Sequence, residues 1–299
     1  MKARYHLEYG SVVVLAALLR ALPREAALEF GAALGQLGSW LRIRRRLVLS
    51  NLAQAFPGST ARERRRIASR AARNFGRTVA EFVRFAGADR ERVGELVRLE
   101  GVEALRDSLA AGGGAIVVTA HVGAWALYVT ALAAAGIPSA LLVGRQHNPK
   151  VQRFILGIPG DAVHFVPKSK GAPRDIMRCL RDGRAVVMVA DHNAGRRGDF
   201  APFLGKVAST LPLPGAIVAR HRTPIFLVAG RRVSPGGHRV EITRLVLPHG
   251  DDEERLRHEI TVACNEALGK VILACPEQYF WYHRRWRVYP NVPETMPAR

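Results

Sequence analysis

Residues 112–125 read Gly-Gly-Gly-Ala-Ile-Val-Val-Thr-Ala-His-Val-Gly-Ala-Trp, and the fold of the chain turns on them. Gly112, Gly113 and Gly114 end a helical pattern, and Ala115–Ala120 is a short apolar, β-branched run of the kind that forms a buried strand. His121 falls where that strand stops, with Gly123 as a tight-turn residue before the helical pattern of Trp125–Ala135. In open α/β sheets ligands bind in the crevice beyond the carboxyl ends of the strands. Imidazole titrates close to neutral pH, so a histidine in that crevice can take a proton from an alcohol or amine. Position alone says little, because histidines at strand ends are more often solvated or structural.

Outward from this stretch the pattern alternates. Strand-like runs at Ala140–Val143, Ala162–Val166, Ala185–Ala190, Pro224–Ala229 and Val240–Leu245 are separated by helical stretches at Pro149–Leu156, Arg174–Arg181, Leu211–Arg220 and Glu253–Leu273, with Val102–Ala111 ahead of the first strand. Alternation of this kind predicts an α/β fold, a mostly parallel, mixed sheet flanked by helices. Residues 1–98 read as all helical, with Asn51–Ala55, Ala61–Phe75 and Thr78–Phe85 at helical spacing and Pro57-Gly58 as a break. The expected organisation is a helical, membrane-associating N-terminal region over 1–98 and an α/β domain over 99–299.

The formal net charge of +20 on 299 residues requires polyanionic surroundings: nucleic acid, anionic lipid headgroups or phosphorylated substrates. The charge is clustered in Arg42/Arg44/Arg45/Arg46, Arg62/Arg64/Arg65/Arg66 and Arg284/Arg285/Arg287. The apolar stretch Val12–Leu19 is shorter than the roughly 20 residues a spanning helix needs. A second apolar segment, Ala26–Trp40, precedes the first arginine block. Two such helices before a basic collar suit a membrane interface; a core hairpin of a soluble domain reads equally well. Nucleic-acid binding has no motif to support it. The three cysteines, Cys179, Cys264 and Cys275, show no metal spacing and suit a reducing compartment. No metal or cofactor is expected.

Ala185–Ala190 is a second buried strand, and it stops at Asp191-His192-Asn193. An aspartate there could orient the His121 ring or hold a cation, although a turn or N-cap role is commoner beside glycine. Ser209 and Thr210 read as caps of the helix that follows. Lys206, Arg196 and Arg197 could hold phosphate, but there is no Walker-type glycine pattern. Neither a GxSxG elbow nor an HExxH pair is present.

Four ordered blocks make a family resemblance. Asn51-Leu52-Ala53-Gln54-Ala55-Phe56-Pro57, with Asn74-Phe75-Gly76 and Glu81 after it, is the first; Thr119–Trp125 is the second. The third runs from Val189-Ala190-Asp191-His192 through Pro202-Phe203-Leu204-Gly205 to Thr210, and the fourth is Pro276–Trp286. Together they resemble, nearly end to end, the bacterial lipid A biosynthesis acyltransferases and their relatives that acylate phosphatidylinositol mannosides.

That resemblance implies transfer of a long acyl chain from a thioester, on acyl carrier protein or coenzyme A, to a glycolipid or lysolipid hydroxyl. It implies work at the cytoplasmic face of the bacterial inner membrane by a peripheral or monotopic protein on an anionic surface. His121 would be the general base, and backbone donors of the turn after the strand would stabilise the oxyanion. The family pattern places an acidic residue five positions after the histidine, where this chain has Ala126. Either Asp191 supplies the carboxylate from the neighbouring strand, or the histidine works alone on a more reactive acceptor, or the chain is a non-catalytic lipid-binding relative; the first is preferred. Carried over with it as substrate-binding positions are Asn148 and Arg174 bordering the cleft, Trp125 and Phe203 walling an acyl channel, and Arg284 and Arg285 contacting headgroup phosphates. Each also has a structural reading: core aromatic, helix cap, helix-end charge or solvated face.

Overall fold

Apolar strands and small-residue helices sort this chain into layers in chain order. The computed structural model describes residues 2–85, 90–158, 162–233 and 236–289. It opens with helices α1 (Lys2–Ala21), α2 (Arg24–Trp40), α3 (Arg45–Ala55), α4 (Ala61–Arg84) and α5 (Arg90–Leu96). Alternation follows: β1 (Val97–Glu100), α6 (Val102–Ala110), β2 (Ala115–Thr119), α7 (Trp125–Ala134), β3 (Ser139–Val143), α8 (Pro149–Leu156), β4 (Val163–Pro167), α9 (Ala172–Arg181) and β5 (Ala185–Val189). A hairpin of β6 (Asp199–Phe203) and β7 (Lys206–Thr210) leads to α10 (Leu213–His221), β8 (Ile225–Arg232), β9 (His238–Arg244), α11 (Glu253–Ala274) and a 3-10 turn at Pro276–Gln278.

Seven strands form one sheet in the order β1-β9-β8-β2-β5-β3-β4. It is parallel except where β9 runs against β8. β2 lies at the centre, and alternate residues feed opposite layers: Ile116 and Val118 pack with α9, α10 and α11, Ala115 and Val117 with α6 and α7. Burial on both faces explains why the strands read as continuous apolar runs without alternation.

The sequence leads one to expect two helices over 61–85, but α4 is continuous. Its start is a capping box, with Thr60 accepting from the Glu63 amide at 3.2 Å and Glu63 accepting from the Thr60 amide at 2.7 Å. Gly76 does not break the helix because it is the contact point with α2: a Cβ there would lie 1.9 Å from the Gly31 carbonyl oxygen. Small residues let the two backbones touch, and this packing outweighs the intrinsic cost of a mid-helix glycine, about 1 kcal/mol.

The other departure is β6–β7. Ser209 and Thr210, read as helix caps, are instead buried residues of β7. Leu204 (φ +50°) and Gly205 (φ +81°) both take left-handed backbone, the two-residue turn that matches strand twist in a hairpin. The short edge strand β1 was not foreseen from the sequence.

The N-terminal hairpin has one packed side and one open side. Ala16, Leu19, Ala27 and Leu28 pack against Ala80 and Val83 of α4. Leu7, Val14, Leu18, Leu34, Leu37, Trp40, Leu41 and Ile43 remain exposed, Trp40 by 73%. Among the described residues no helix is long and apolar enough to cross a membrane.

Candidate active site

Strand register builds the centre of the site. β2 and β5 pair in parallel with Thr119 opposite Val189, so two residues further on His121 stands beside Asp191. The His121 amide donates to Asp191 Oδ2 at 3.2 Å, and His121 Nδ1 lies 2.8 Å from Oδ1. Asp191 is completely buried. Burial works to raise its pKa, but the charge and hydrogen bond of His121, with His192 and His283 beyond, hold the carboxyl well below the usual carboxylate range. An ionised carboxylate only accepts, so Nδ1 carries a proton, and in the neutral ring Nε2 keeps its lone pair. His121, Asp191 and His192 bring donor atoms within 4.8 Å of one another, a set that could hold a metal ion. Both Asp191 oxygens are already committed to His121, which is the arrangement of an oriented acid–base pair.

His121 lines a cavity of about 430 Å³ whose other walls are largely apolar, among them Val79 and Phe82 of α4, Val129 of α7, Leu141 of β3, Ile155 of α8 and Phe165 of β4. Trp125 also lines it and stands edge-on to the imidazole, ring centroids 4.9 Å apart. His192 lies flat against the imidazole, 4.0 Å away with planes 8° apart, and His283 abuts His192 at 4.1 Å. Desolvation outweighs the pull of Asp191 and lowers the pKa of His192 to about 4 and of His283 to about 3. Sequence reasoning passed over both histidines. The Asp191-His192 dipeptide was the available signal for one, and the Pro276–Trp286 block for the other.

The turn after β2 does not offer the oxyanion donors expected of it. The Val122 amide is bonded to Ala120 (2.8 Å), that of Gly123 to Gln278 (2.9 Å) and that of Ala124 to the Tyr128 hydroxyl (2.9 Å). The next two amides, Trp125 and Ala126, have no acceptor among the described residues and open α7, whose first turn carries no acidic residue. No acidic side chain of α7 itself offsets the partial positive charge of its N-terminus. Ala126 itself lines the cavity, and the carboxylate comes from the neighbouring strand.

The other carried-over positions separate. Asn148 is a buried N-cap, accepting from the Lys150 amide at 3.0 Å and donating to the Tyr5 carbonyl at 3.0 Å, so it serves the α8–α1 junction and does not border the cavity. Arg174 is exposed on α9, away from the cavity. Phe203 is core, covered by Trp286 and by the Arg285 guanidinium 4.2 Å from its ring centroid, so it walls no channel. Arg285 is buried and donates to Thr210 Oγ1 at 2.7 Å, which takes it out of reach of a headgroup; burial lowers its pKa to about 10. Arg284 is exposed. Asn51 and Asn74, from the N-terminal signature, hold the C-terminal segment: Asn51 donates to the Trp281 and His283 carbonyls at 2.8 and 2.7 Å, Asn74 to that of Glu277 at 2.9 Å. That segment in turn holds the site, since the Phe280 amide donates to the His121 carbonyl at 3.0 Å.

Comparison with known proteins identifies the family. The family model described as bacterial lipid A biosynthesis acyltransferase matches residues 1–288. The lipid A biosynthesis palmitoleoyltransferase of Escherichia coli K12 is 24% identical over 293 residues, 96% of this chain and 93% of that protein. The lauroyltransferase of the same organism is 24% identical over 313 residues, 99% of this chain and 95% of that protein. Among solved structures, the 1-acyl-sn-glycerophosphate acyltransferase of Thermotoga maritima aligns with 16% identity and a TM-score of 0.40, covering 89% of this chain and all of that one. With the family model spanning nearly every residue, the chain is an acyltransferase and belongs to the bacterial lipid A biosynthesis acyltransferase family.

Proposed function

We propose that this acyltransferase moves a long acyl chain from a thioester, on acyl carrier protein or coenzyme A, to a hydroxyl of a glycolipid or lysolipid, with His121 as general base. The observation that carries the reading is the meeting of a free Nε2 and an apolar cavity at one residue, with Asp191 fixing the tautomer. Nε2 takes the proton of the acceptor hydroxyl as its oxygen attacks the thioester carbonyl. The oxyanion that forms is met by the Trp125 and Ala126 amides at the head of α7. The carbon–sulfur bond then breaks, and the thiolate leaves with the proton returned by the imidazolium. Asp191 supports the charged ring, in the place of the acid that the family carries at position 126.

Attachment to the membrane surface is part of the same proposal. Residues 1–98 are the membrane-associating region and 99–299 the acyltransferase domain. Exposed Leu34, Leu37, Trp40, Leu41 and Ile43 sit directly ahead of Arg44, Arg45 and Arg46, so apolar insertion and attraction to anionic headgroups act at one place. The cytoplasmic face of the inner membrane is where a thioester donor and an anionic surface meet, and Arg284 is free to contact phosphate there.

A thioester series from acetyl to palmitoyl, assayed with a lipid extract as acceptor, tests the chemistry. Each buried methylene contributes roughly 0.8 kcal/mol, so the rate rises with chain length to an optimum and falls where the cavity ends. A flat profile refutes an acyl-measuring cavity. Flotation with anionic vesicles tests attachment: Trp40→Ala with Leu37→Ala weakens binding, and salt weakens it further.

A further inference from the structure

A second histidine–carboxylate pair lies inside the protein, between α4 and β9, where the acyl-transfer chemistry does not use it. Glu81 and His238 are both buried. Glu81 Oε1 meets His238 Nε2 at 3.0 Å and Arg24 Nη2 at 3.0 Å, and Oε2 accepts from Arg232 Nη2 at 2.6 Å. Burial of this carboxyl works to raise its pKa, but the hydrogen bond from His238 and the charge of Arg232 hold it down to about 2. On its other side, His238 Nδ1 lies 3.1 Å from the Tyr128 hydroxyl, which accepts the amide of Ala124 at 2.9 Å.

We propose that Glu81, His238 and Tyr128 form a positioning relay that holds the turn Val122–Ala124, and with it the open amides of Trp125 and Ala126, against His121. The inference rests on the reading of His121 as the base. With the His238 ring neutral, the chain of bonds has one proton arrangement. Glu81 accepts, so His238 Nε2–H donates to it, Nδ1 is left as an acceptor, and the Tyr128 hydroxyl donates there. The tyrosine oxygen is thereby turned toward the Ala124 amide. The contact is also steric. Gly123 adopts φ +58° and a Cβ on it would lie 2.2 Å from the Tyr128 hydroxyl, while one on Gly230 would lie 2.2 Å from the ring. The aromatic ring is wedged between two backbones that only glycine permits.

The same carboxylate reaches Gly123 by a second route. Arg232, bonded to Glu81, brackets the Gln278 side chain with its own amide (2.8 Å) and carbonyl (3.0 Å), and the Gln278 carbonyl accepts the Gly123 amide. Thr78 Oγ1 closes the turn from α4 by donating to the Gly123 carbonyl at 3.0 Å. Two successive amides between the base and α7 are thus fixed by one buried anion. Misplacement of reacting groups by about 1 Å can cost on the order of a hundredfold in rate, so a device that fixes this turn acts on turnover without touching substrate.

The test is Tyr128→Phe in the full chain, which keeps the wedge and removes only the hydroxyl. Turnover should fall about tenfold or more, with KM for the acyl thioester changed less than twofold. Amide hydrogen exchange, read by mass spectrometry, should accelerate over residues 121–128 and stay unchanged in β5. His238→Gln, whose amide oxygen can accept from Tyr128 and whose NH₂ can donate to Glu81, should retain more turnover than His238→Leu. Unchanged kcat in Tyr128→Phe, or equal losses in the two His238 variants, would overturn the relay. If the wild-type protein itself transfers no acyl group, the proposed chemistry fails, and exchange over 121–128 still decides the relay: no change there in Tyr128→Phe refutes it.

Discussion

Two of the three histidine–carboxylate pairs among the described residues, both packed against the sheet's central turn, have opposite fates. His121 and Asp191 are 2.8 Å apart, and the His121 ring keeps 17% of its surface open, on the cavity. His238 and Glu81 are 3.0 Å apart, and neither side chain is exposed. In the first pair the carboxylate serves one partner, and the ring has a nitrogen to spare. In the second both ring nitrogens are used, and the carboxylate is neutralised by two arginines. A histidine–carboxylate pair becomes a base when a free nitrogen faces space for a substrate. Without that space the same chemistry is a strut.

The comparison breaks first on a pair of deletions. His121→Ala should lower acyl transfer by on the order of a hundredfold to ten-thousandfold, the range for a positioned acid–base group, while the denaturant midpoint moves little. Glu81→Ala should do its main damage to stability, up to about 3 kcal/mol, because it strands the partly buried Arg24 and Arg232, and should lower turnover only about tenfold through the loosened turn. Urea unfolding beside a rate assay separates them; a Glu81→Ala protein as stable as wild type would end the distinction. Gly123→Ala strikes the joint between the pairs. Strained backbone and the clash with Tyr128 should cost about 1–3 kcal/mol and lower turnover as well. Normal stability and normal rate in that variant would show that the turn is not held as described.

Acid sharpens the comparison further, with a smaller effect. His192 and His283 titrate at about 4 and 3 in the folded protein against 6.5 when unperturbed. The unfolded chain therefore binds more protons below pH 6.5, and stability declines as pH falls from there toward 4 and 3. Glu81, lowered from 4.5 to about 2, adds a second decline between those values. Unfolding midpoints between pH 7 and 3 should show both, and His192→Gln should flatten only the upper one. An unaltered upper decline in that variant would contradict the environment assigned to the histidine stack.

Much of the site was legible from equal strand lengths. Two apolar runs of the same length each end in alanine followed by a polar residue, Ala120-His121 and Ala190-Asp191, so parallel pairing in register was enough to bring the pair together. The β6–β7 hairpin was not legible, because Ser209-Thr210 read as caps and Pro202 interrupts the strand pattern of β6. Arg285 misled for a physical reason. Beside tryptophans an arginine looks interfacial, whereas its acceptors, Ser209 and Thr210, lie far back in the chain and only the fold brings them to it. The stack of His121, His192 and His283 likewise needs three separate segments to converge.

The central claim is that Asp191 orients His121 in place of the absent acid at position 126. Steady-state acyl transfer by Asp191→Asn, alone and combined with Ala126→Glu, measures it most directly. The account predicts a loss of at least about a hundredfold in Asp191→Asn and no gain from Ala126→Glu in the otherwise unaltered chain. Full activity in Asp191→Asn, with a large gain from Ala126→Glu, would contradict it.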